Sequence, residues 1–410
     1  MVESASSAAL ERIISPHTVA EFISKYWEQT HLHVPHEGNP LLRRYLTELV
    51  SVDDIDYFLA TICGAGPQRW DSLRLSQNGT PIPPAEFQFN ERAGFATFDI
   101  NRILSLYRNG ATLIVNSVQQ TLFPVATLCN ELAGFFGVRV LANVYITPPS
   151  GQGFPAHHDN HDVFLLQVLG EKHWTLYGSP VPLSRWPGRA DVRDAPREVA
   201  RDRLCLRAGE ALYMPRGLVH EGTASEATSF HLTIGIHPYT WAQLLIDVVS
   251  EVQREDVEFR RSVAPQLAAI GDGEGLEEIV AKLSGRLRDG SRLARVVNQK
   301  MAEVACGPGP VPAHGRFRRL VDPPGVTLTT LLHVPRDEEV EIHTSEDGIE
   351  VISRDKVVTL PGFALPQVQA LFSGAPTCAA ALPTGLDDEG KLVLVRRLAR
   401  EGLLEAEVSG

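Results

Sequence analysis

Three textures of apolar and polar positions follow one another along the chain. From about Pro16 to Gln119 they are mixed. Val19, Phe22, Ile23 and Trp27 recur on one helical face, Leu32-His33-Val34 reads as a short strand, and residues 53–59 predict a second helix. From Val138 to Tyr239, short apolar or alternating runs are broken by Pro and Gly clusters such as Thr147-Pro148-Pro149-Ser150-Gly151. That spacing predicts an all-β barrel or sandwich. After Pro238 the 3.6-residue period takes over, through Trp241, Leu244, Leu245, Val248, Val249 and Val252, and again through Leu276, Ile279, Val280, Leu283 and Leu287.

The apolar stripe of this helical block can pack on the barrel or form a subunit interface; the pattern leaves both open. Cys306-Gly307-Pro308-Gly309-Pro310-Val311-Pro312 cannot hold a helix or a central strand and reads as a linker. Beyond it a third unit runs through an acidic turn at Glu346-Asp347-Gly348, strand-like Glu350-Val351-Ile352, a Pro361-Gly362 break and a helix from Pro366 to Phe372. A last helix is expected through Leu392, Val395, Leu398 and Leu403-Leu404. This order resembles a winged-helix module. The breaks predict three domains, at 1–239, 240–305 and 306–410.

Charge narrows the partners. The formal net charge is -12, and residues 307–410 carry 10 Lys/Arg against 15 Asp/Glu. Neither value suits phosphate-backbone binding, so a protein-docking or packing role is expected for the third unit. The five cysteines are far apart and form no C-x-x-C, which argues against a disulfide framework or thiolate zinc site and for a reducing, cytoplasmic setting. Residues 1–16 lack the features of a signal peptide, and no later apolar run approaches bilayer length.

The candidate chemistry lies in Pro155-Ala156-His157-His158-Asp159 and in Tyr213-Met214-Pro215-Arg216-Gly217-Leu218-Val219-His220. His157, Asp159 and His220 have the ligand types and order of a two-histidine, one-carboxylate facial triad, which suits iron(II) and leaves coordination positions open. On a strand, His157 and Asp159 share a face and His158 points away. His158, His161 and Asp162 crowd the same segment as competing ligands, substrate-facing groups or supports of the triad. An oxygenase of this kind needs an electron-rich cosubstrate, and a dicarboxylate such as 2-oxoglutarate needs a cation for its far end. Lys172 is the candidate, on a segment expected to be the strand returning after Val163–Val168 and the Gly170-Glu171 turn. Asn143 with Tyr145, and His231 with Thr233, share strand faces and can either donate to the cosubstrate or serve as satisfied interior polar groups.

Six segments together resemble the JmjC-type ribosomal oxygenases: Asn143 to Pro149, Gln152-Gly153-Phe154, His157-His158-Asp159, Phe164 to Gln167, Gly170 to Trp174, and Tyr213 to Gly217 through His220. These are iron(II)- and 2-oxoglutarate-dependent protein hydroxylases. The resemblance implies a mixed α+β chain, with a double-stranded β-helix (JmjC/cupin) core, a helical block forming a homodimer and a C-terminal winged helix. It implies metal ligands at His157, Asp159 and His220, Lys172 on the far carboxylate, and hydroxylation of a side chain in a ribosomal protein. His158 stands where the family often has tyrosine. Peptide tailoring, demethylation through a hydroxymethyl intermediate, and a silent cupin-like binding protein are the alternatives. The complete triad with Lys172 argues against the last.

Overall fold

A computed structural model describes residues 7–64, 66, 68–184, 200–262, 274–288, 290–305, 325–335, 340–345, 348–353 and 356–406. The expected linker at 306–312 and the Glu346-Asp347 turn lie outside the described residues. The chain divides into two compact units, Met1–Pro310 and Val311–Gly410.

In the first unit the strands are β1 (Leu32–Val34), β2 (Gln68–Arg69), β3 (Leu73–Gln77), β4 (Thr80–Pro81), β5 (Gln88–Arg92), β6 (Phe95–Phe98) and β7 (Thr112–Val115). They continue as β8 (Arg139–Thr147), β9 (Asp162–Leu169), β10 (Glu171–Leu176), β11 (Asp202–Arg207), β12 (Ala211–Met214), β13 (His220–Ala224) and β14 (Ser229–His237). The major sheet has the order β1-β12-β9-β14-β8-β7-β3-β4, the minor sheet is β11-β10-β13, and β2-β6-β5 form a separate small sheet.

Alternation on the central strands serves two cores. Phe230, Leu232, Ile234 and Ile236 of β14 are fully buried in one cluster with Val140, Ala142 and Val144 of β8. Helices Ala8–Ile14, Leu42–Leu49 and Phe123–Phe136 cover this face through Leu10, Ile13, Leu42, Leu46, Leu128 and Leu132. Each such side chain contributes about 1.5–3 kcal/mol of burial. The opposite face looks into the space between the two sheets, where Val163, Leu165, Leu212 and Met214 meet Trp174, Leu176 and Leu206.

Two local expectations change. β10 is not the hairpin return of β9. β9 pairs with β12 and β14, whereas β10 pairs with β11 and β13 in the other sheet. The connection is Gly170 alone, in the left-handed region at φ 66, and a Cβ there would stand 2.1 Å from the Thr228 carbonyl oxygen. One residue is too short for a hairpin loop, so the chain turns a corner and changes sheet. Near the N-terminus, Val19–Glu21 runs into a π-turn over Phe22–Tyr26, with the Trp27 N–H donating to the Phe22 carbonyl. Phe22 is buried while Ile23 is exposed, so the predicted common face splits.

After β14, Thr240 and Gln243 form a reciprocal cap on helix Trp241–Glu255. Leu244, Val248 and Val252 are buried, but Trp241, Leu245 and Ile246 are exposed, Trp241 at 81%. Helices Glu274–Leu287 and Gly290–Ala305 complete the block.

The second unit has its own core. β15 (Leu331–His333), β16 (Glu341–Ser345), β17 (Gly348–Ser353), β18 (Lys356–Leu360), β19 (Thr377–Cys378) and β20 (Glu405–Ala406) form a β16-β17-β18 meander and a β19-β15-β20 sheet. Ile349, Val351, Val358 and Leu360 pack with Val368 and Leu371 of helix Leu365–Leu371 and with Val395 and Leu398 of helix Asp388–Arg400. This last helix ends before Leu403-Leu404, contrary to expectation. Gly402, at φ 75, terminates it, and the Leu403 N–H donates back to the Leu398 carbonyl. Leu403 and Leu404 are buried as a turn into β20.

Candidate metal centre

The β8–β14 register sets Tyr145 opposite His231 and Asn143 opposite Thr233, all on the face toward the minor sheet. From the minor sheet, Lys172 and Trp174 of β10 and His220 of β13 point back into the same space. The Trp174 ring lies 5.8 Å from those of His220 and of His231. Tyr145 stacks on His231 at 5.0 Å, with the rings 4° from parallel.

Contrary to the expectation from their spacing, His157 and Asp159 do not lie on a regular strand. Among residues 155–161 only His157 pairs, in an isolated bridge to His220. The His157 N–H donates to the His220 carbonyl at 3.0 Å and the His220 N–H returns the bond at 2.7 Å. Asp159 is fixed separately, its carbonyl accepting from the Gly217 N–H at 2.9 Å. Pro155 removes a donor just before the bridge, so no ladder propagates. The two histidines therefore face one another across a single rung, with ring centroids 4.5 Å apart.

The donor set fits a metal ion. His157 Nδ1 lies 2.8 Å from the Pro155 carbonyl and His220 Nδ1 2.9 Å from the Leu218 carbonyl. Those bonds put the proton on Nδ1 and leave each Nε2 lone pair free, the arrangement that orients ligand imidazoles. His220 Nε2 stands 3.8 Å from Asp159 Oδ2, and ligand atoms of all three residues lie within 4.8 Å of one another. With metal bonds of about 2.0–2.2 Å, small side-chain rotations bring them to one ion. Burial, with His157 next, pushes His220 down to about 4, so it is neutral at ordinary pH. Burial raises Asp159, but His161, His157, His220 and His158 together pull it below the usual carboxylate range. Its side chain keeps 31% exposure, and water screens part of that attraction.

A buried network holds the turn that delivers His220. The Arg216 guanidinium donates to Asp162 at 2.8 Å and to Glu28 at 2.5 Å, and the Tyr213 hydroxyl donates to Asp162 at 2.9 Å. Burial pushes the Asp162 carboxyl up against the pull of Arg216. Asp162 is thereby committed to Arg216 and is not a competing ligand. His161 stacks on His237 at 4.6 Å, and His158 Nδ1 lies 3.4 Å from its neighbour's carbonyl.

Lys172 is 3% exposed, and burial brings its ammonium down to about 7. Its Nζ is 3.4 Å from Thr147 Oγ1 and 5.1 Å from the centre of the Trp174 ring, and among the described residues no carboxylate pairs with it. Thr233 Oγ1, His231 Nδ1 and Trp174 Nε1 are buried without partners. Buried polar atoms ordinarily have partners. A cation and three orphans around one space suit a small anionic ligand. Asn143 is partly committed, since its side-chain oxygen accepts from the Ser117 N–H at 2.9 Å, and burial pushes the Tyr145 hydroxyl up to about 12.

Reading by residue type did not single out Thr147, Trp174 or Gly222. Thr147 and Trp174 each sit two residues beyond a recognised position on the same strand face, so one further step of the alternation finds them. A Cβ at Gly222 would stand 2.9 Å from Lys172 Cε and from the Trp174 ring.

This geometry coincides with a known family. Residues 117–244, from before β8 through β14, match the model of the JmjC domain. The chain carries a JmjC domain. Over 289 residues it is 29% identical to ribosomal oxygenase 2 of Mus musculus, across 69% of this chain and 59% of that one. Over 266 residues it is 27% identical to the bifunctional lysine-specific demethylase and histidyl-hydroxylase NO66 of Dictyostelium discoideum, across 63% and 49% respectively. The chain thus spans three-fifths or less of the length of these curated relatives. Among solved structures, the ribosomal oxygenase YcfD of Escherichia coli is similar with a TM-score of 0.47 and 16% identity, across 96% of this chain and 99% of that one. The resemblance to JmjC-type ribosomal oxygenases is borne out, and its mixed α/β fold is that of the JmjC domain.

Proposed function

We propose that this chain is an iron(II)- and 2-oxoglutarate-dependent oxygenase that hydroxylates an amino-acid side chain of a ribosomal protein. The observation that carries the reading is the meeting of two imidazoles, each with a free Nε2, and one carboxylate beside a buried, uncompensated lysine. His157, Asp159 and His220 would hold the metal. Lys172 would hold the far carboxylate of 2-oxoglutarate, with Thr147 steadying its ammonium and Thr233, Asn143 and Tyr145 around the rest. The relatives' names, ribosomal oxygenase and histidyl-hydroxylase, support the substrate class.

When bound, metal and cosubstrate supply the oxidising chemistry, as cofactors generally do. The chain's own part is to position and to exclude water. The Nδ1-to-carbonyl bonds fix both imidazoles, and the Arg216–Asp162–Glu28 network holds the turn before His220. The apolar cluster of Leu165, Trp174, Leu212 and Met214 dries one side of the site, which strengthens the pairing of Lys172 with a carboxylate. Lysine demethylation would use the same groups on a methylated target, and the name of the NO66 relative favours it as the second reading.

Exposed Trp241, Leu245 and Ile246 support a homodimer through the helical block. The meander with two helices supports a winged-helix-like C-terminal unit, and its acidic balance supports protein docking over nucleic-acid binding. Among the described residues no helix is long and apolar enough to cross a membrane. The dispersed cysteines support a reducing, cytoplasmic setting.

The test is anaerobic iron(II) and 2-oxoglutarate binding, followed by succinate release on adding ribosomal proteins, with His157→Ala as control. Binding and turnover in the wild type, both lost in the variant, are expected. Turnover unchanged in His157→Ala would overturn the assignment of the centre. Unmodified ribosomal proteins by mass spectrometry, despite metal-dependent succinate release, would overturn only the substrate class.

A further inference from the structure

The minor sheet has a second face. Because side chains alternate along β10, Lys172 and Trp174 point inward while Glu171 and His173 point outward. The β10–β11 register sets Cys205 directly opposite His173, on that same outer face. Among the described residues, ligand atoms of Glu171, His173 and Cys205 also all lie within 4.8 Å of one another. Cys205 Sγ is 3.6 Å from Glu171 Oε2. Two ligands of a tetrahedral zinc ion, bonded at about 2.3 Å for sulfur and about 2.1 Å for oxygen, stand roughly 3.6 Å apart.

We propose that Glu171, His173 and Cys205 form a second metal site, on the outer face of the minor sheet, that takes zinc(II) or a similar thiophilic divalent ion. The donor set is softer than that of the first centre, since it includes a thiolate, and thiolate with imidazole selects zinc or cobalt(II) over iron in an oxygen-rich site. Two of the ligands are two residues apart on one strand, and the third is their cross-strand neighbour, so the sheet backbone presets the spacing. Three protein ligands leave a fourth position open. Beside Glu171 and His173 lies a surface depression also bordered by Ser150, Thr223, Ser225 and Glu226, from which an exogenous ligand could reach that position. Among the described residues the competing cation is Arg207, whose Nε lies 3.8 Å from Glu171 Oε2. Its side chain is 63% exposed and can swing into solvent when the carboxylate turns to a metal. The site stands back to back with Lys172 but shares no residue with the first centre and does not depend on its assignment.

Cobalt(II) separates the two. Its thiolate complexes absorb strongly in the near ultraviolet, whereas a centre of imidazole and carboxylate does not. Metal-free, reduced protein titrated with cobalt(II) is expected to develop that band, and zinc(II) is expected to abolish it by competition. The band should persist in His157→Ala and be lost in Cys205→Ser. His173→Ala, at an exposed position with little bearing on folding, should weaken cobalt binding at this site roughly tenfold or more. Circular dichroism identifies variants that have not folded. Absence of the band in the wild type, or a band undiminished in either Cys205→Ser or His173→Ala, would overturn the proposal.

Discussion

At the scale of single residues, Lys172 is a cation kept where a neutral amine is at home. With its ammonium brought down to about 7 by burial, it is largely uncharged at pH 8 in the ligand-free protein. A bound dicarboxylate restores the charge, so 2-oxoglutarate binding should take up close to one proton at that pH. Calorimetry in buffers of different ionisation enthalpy reads this directly, and Lys172→Met should remove both the uptake and most of the affinity. Above pH 8 the affinity should fall, because each added unit raises the cost of reprotonating the amine.

The imidazoles behave in the opposite sense at acid pH. Burial holds His220 at about 4 and His237 at about 3, and keeps His231 well below its ordinary value. The unfolded chain binds protons at these sites from about pH 6.5 downward while the folded chain does not, so folding stability is present above that pH and lost as it falls toward 4. Melting temperatures of the metal-free protein should drop through that window. A flat profile there would contradict the neutral state of these three side chains.

At the scale of elements, Gly170 decides which sheet Lys172 belongs to. Gly170→Ala should cost about 1–3 kcal/mol in backbone strain alone, and more from the collision with the Thr228 carbonyl, as measured by urea unfolding. Faces were legible in the sequence. Asn143, Tyr145, His231, Thr233 and Lys172 all point where simple alternation puts them, because period two is a property of each strand by itself. Partnership was not legible, since alternation carries no information about which strand lies alongside, and a single glycine between two apolar runs reads as a hairpin. His157 and Asp159 do meet His220, but for a different reason from the one their spacing suggests, namely one backbone rung and one turn in place of a strand. In the last helix, apolar Leu403-Leu404 continues the pattern of Leu398, and only Gly402 between them marks the stop.

At the scale of the molecule, each unit has its own core, one around the central strands of the major sheet and one around β17, β18 and the helix Asp388–Arg400. The helical block leaves Trp241 and Leu245 exposed near the start of the helix that follows β14. If they meet a second copy, Trp241→Arg with Leu245→Arg should convert a dimer to a monomer in sedimentation, without change in circular dichroism. A species unchanged in mass would return these residues to the ordinary surface.

The single rung between His157 and His220 has a mechanical side. The rung itself supplies two of the few backbone hydrogen bonds that tie segments about sixty residues apart, beside the Gly217–Asp159 bond and the Gln152–Thr223 bridge, and closing a loop of that length is entropically costly. An ion gripped by both histidines and Asp159 would act as a rivet across that seam, much as a disulfide does in other proteins. Stripping it with a chelator should therefore lower the melting temperature and expose residues 148–161 to proteases, while the rest of the barrel stays intact.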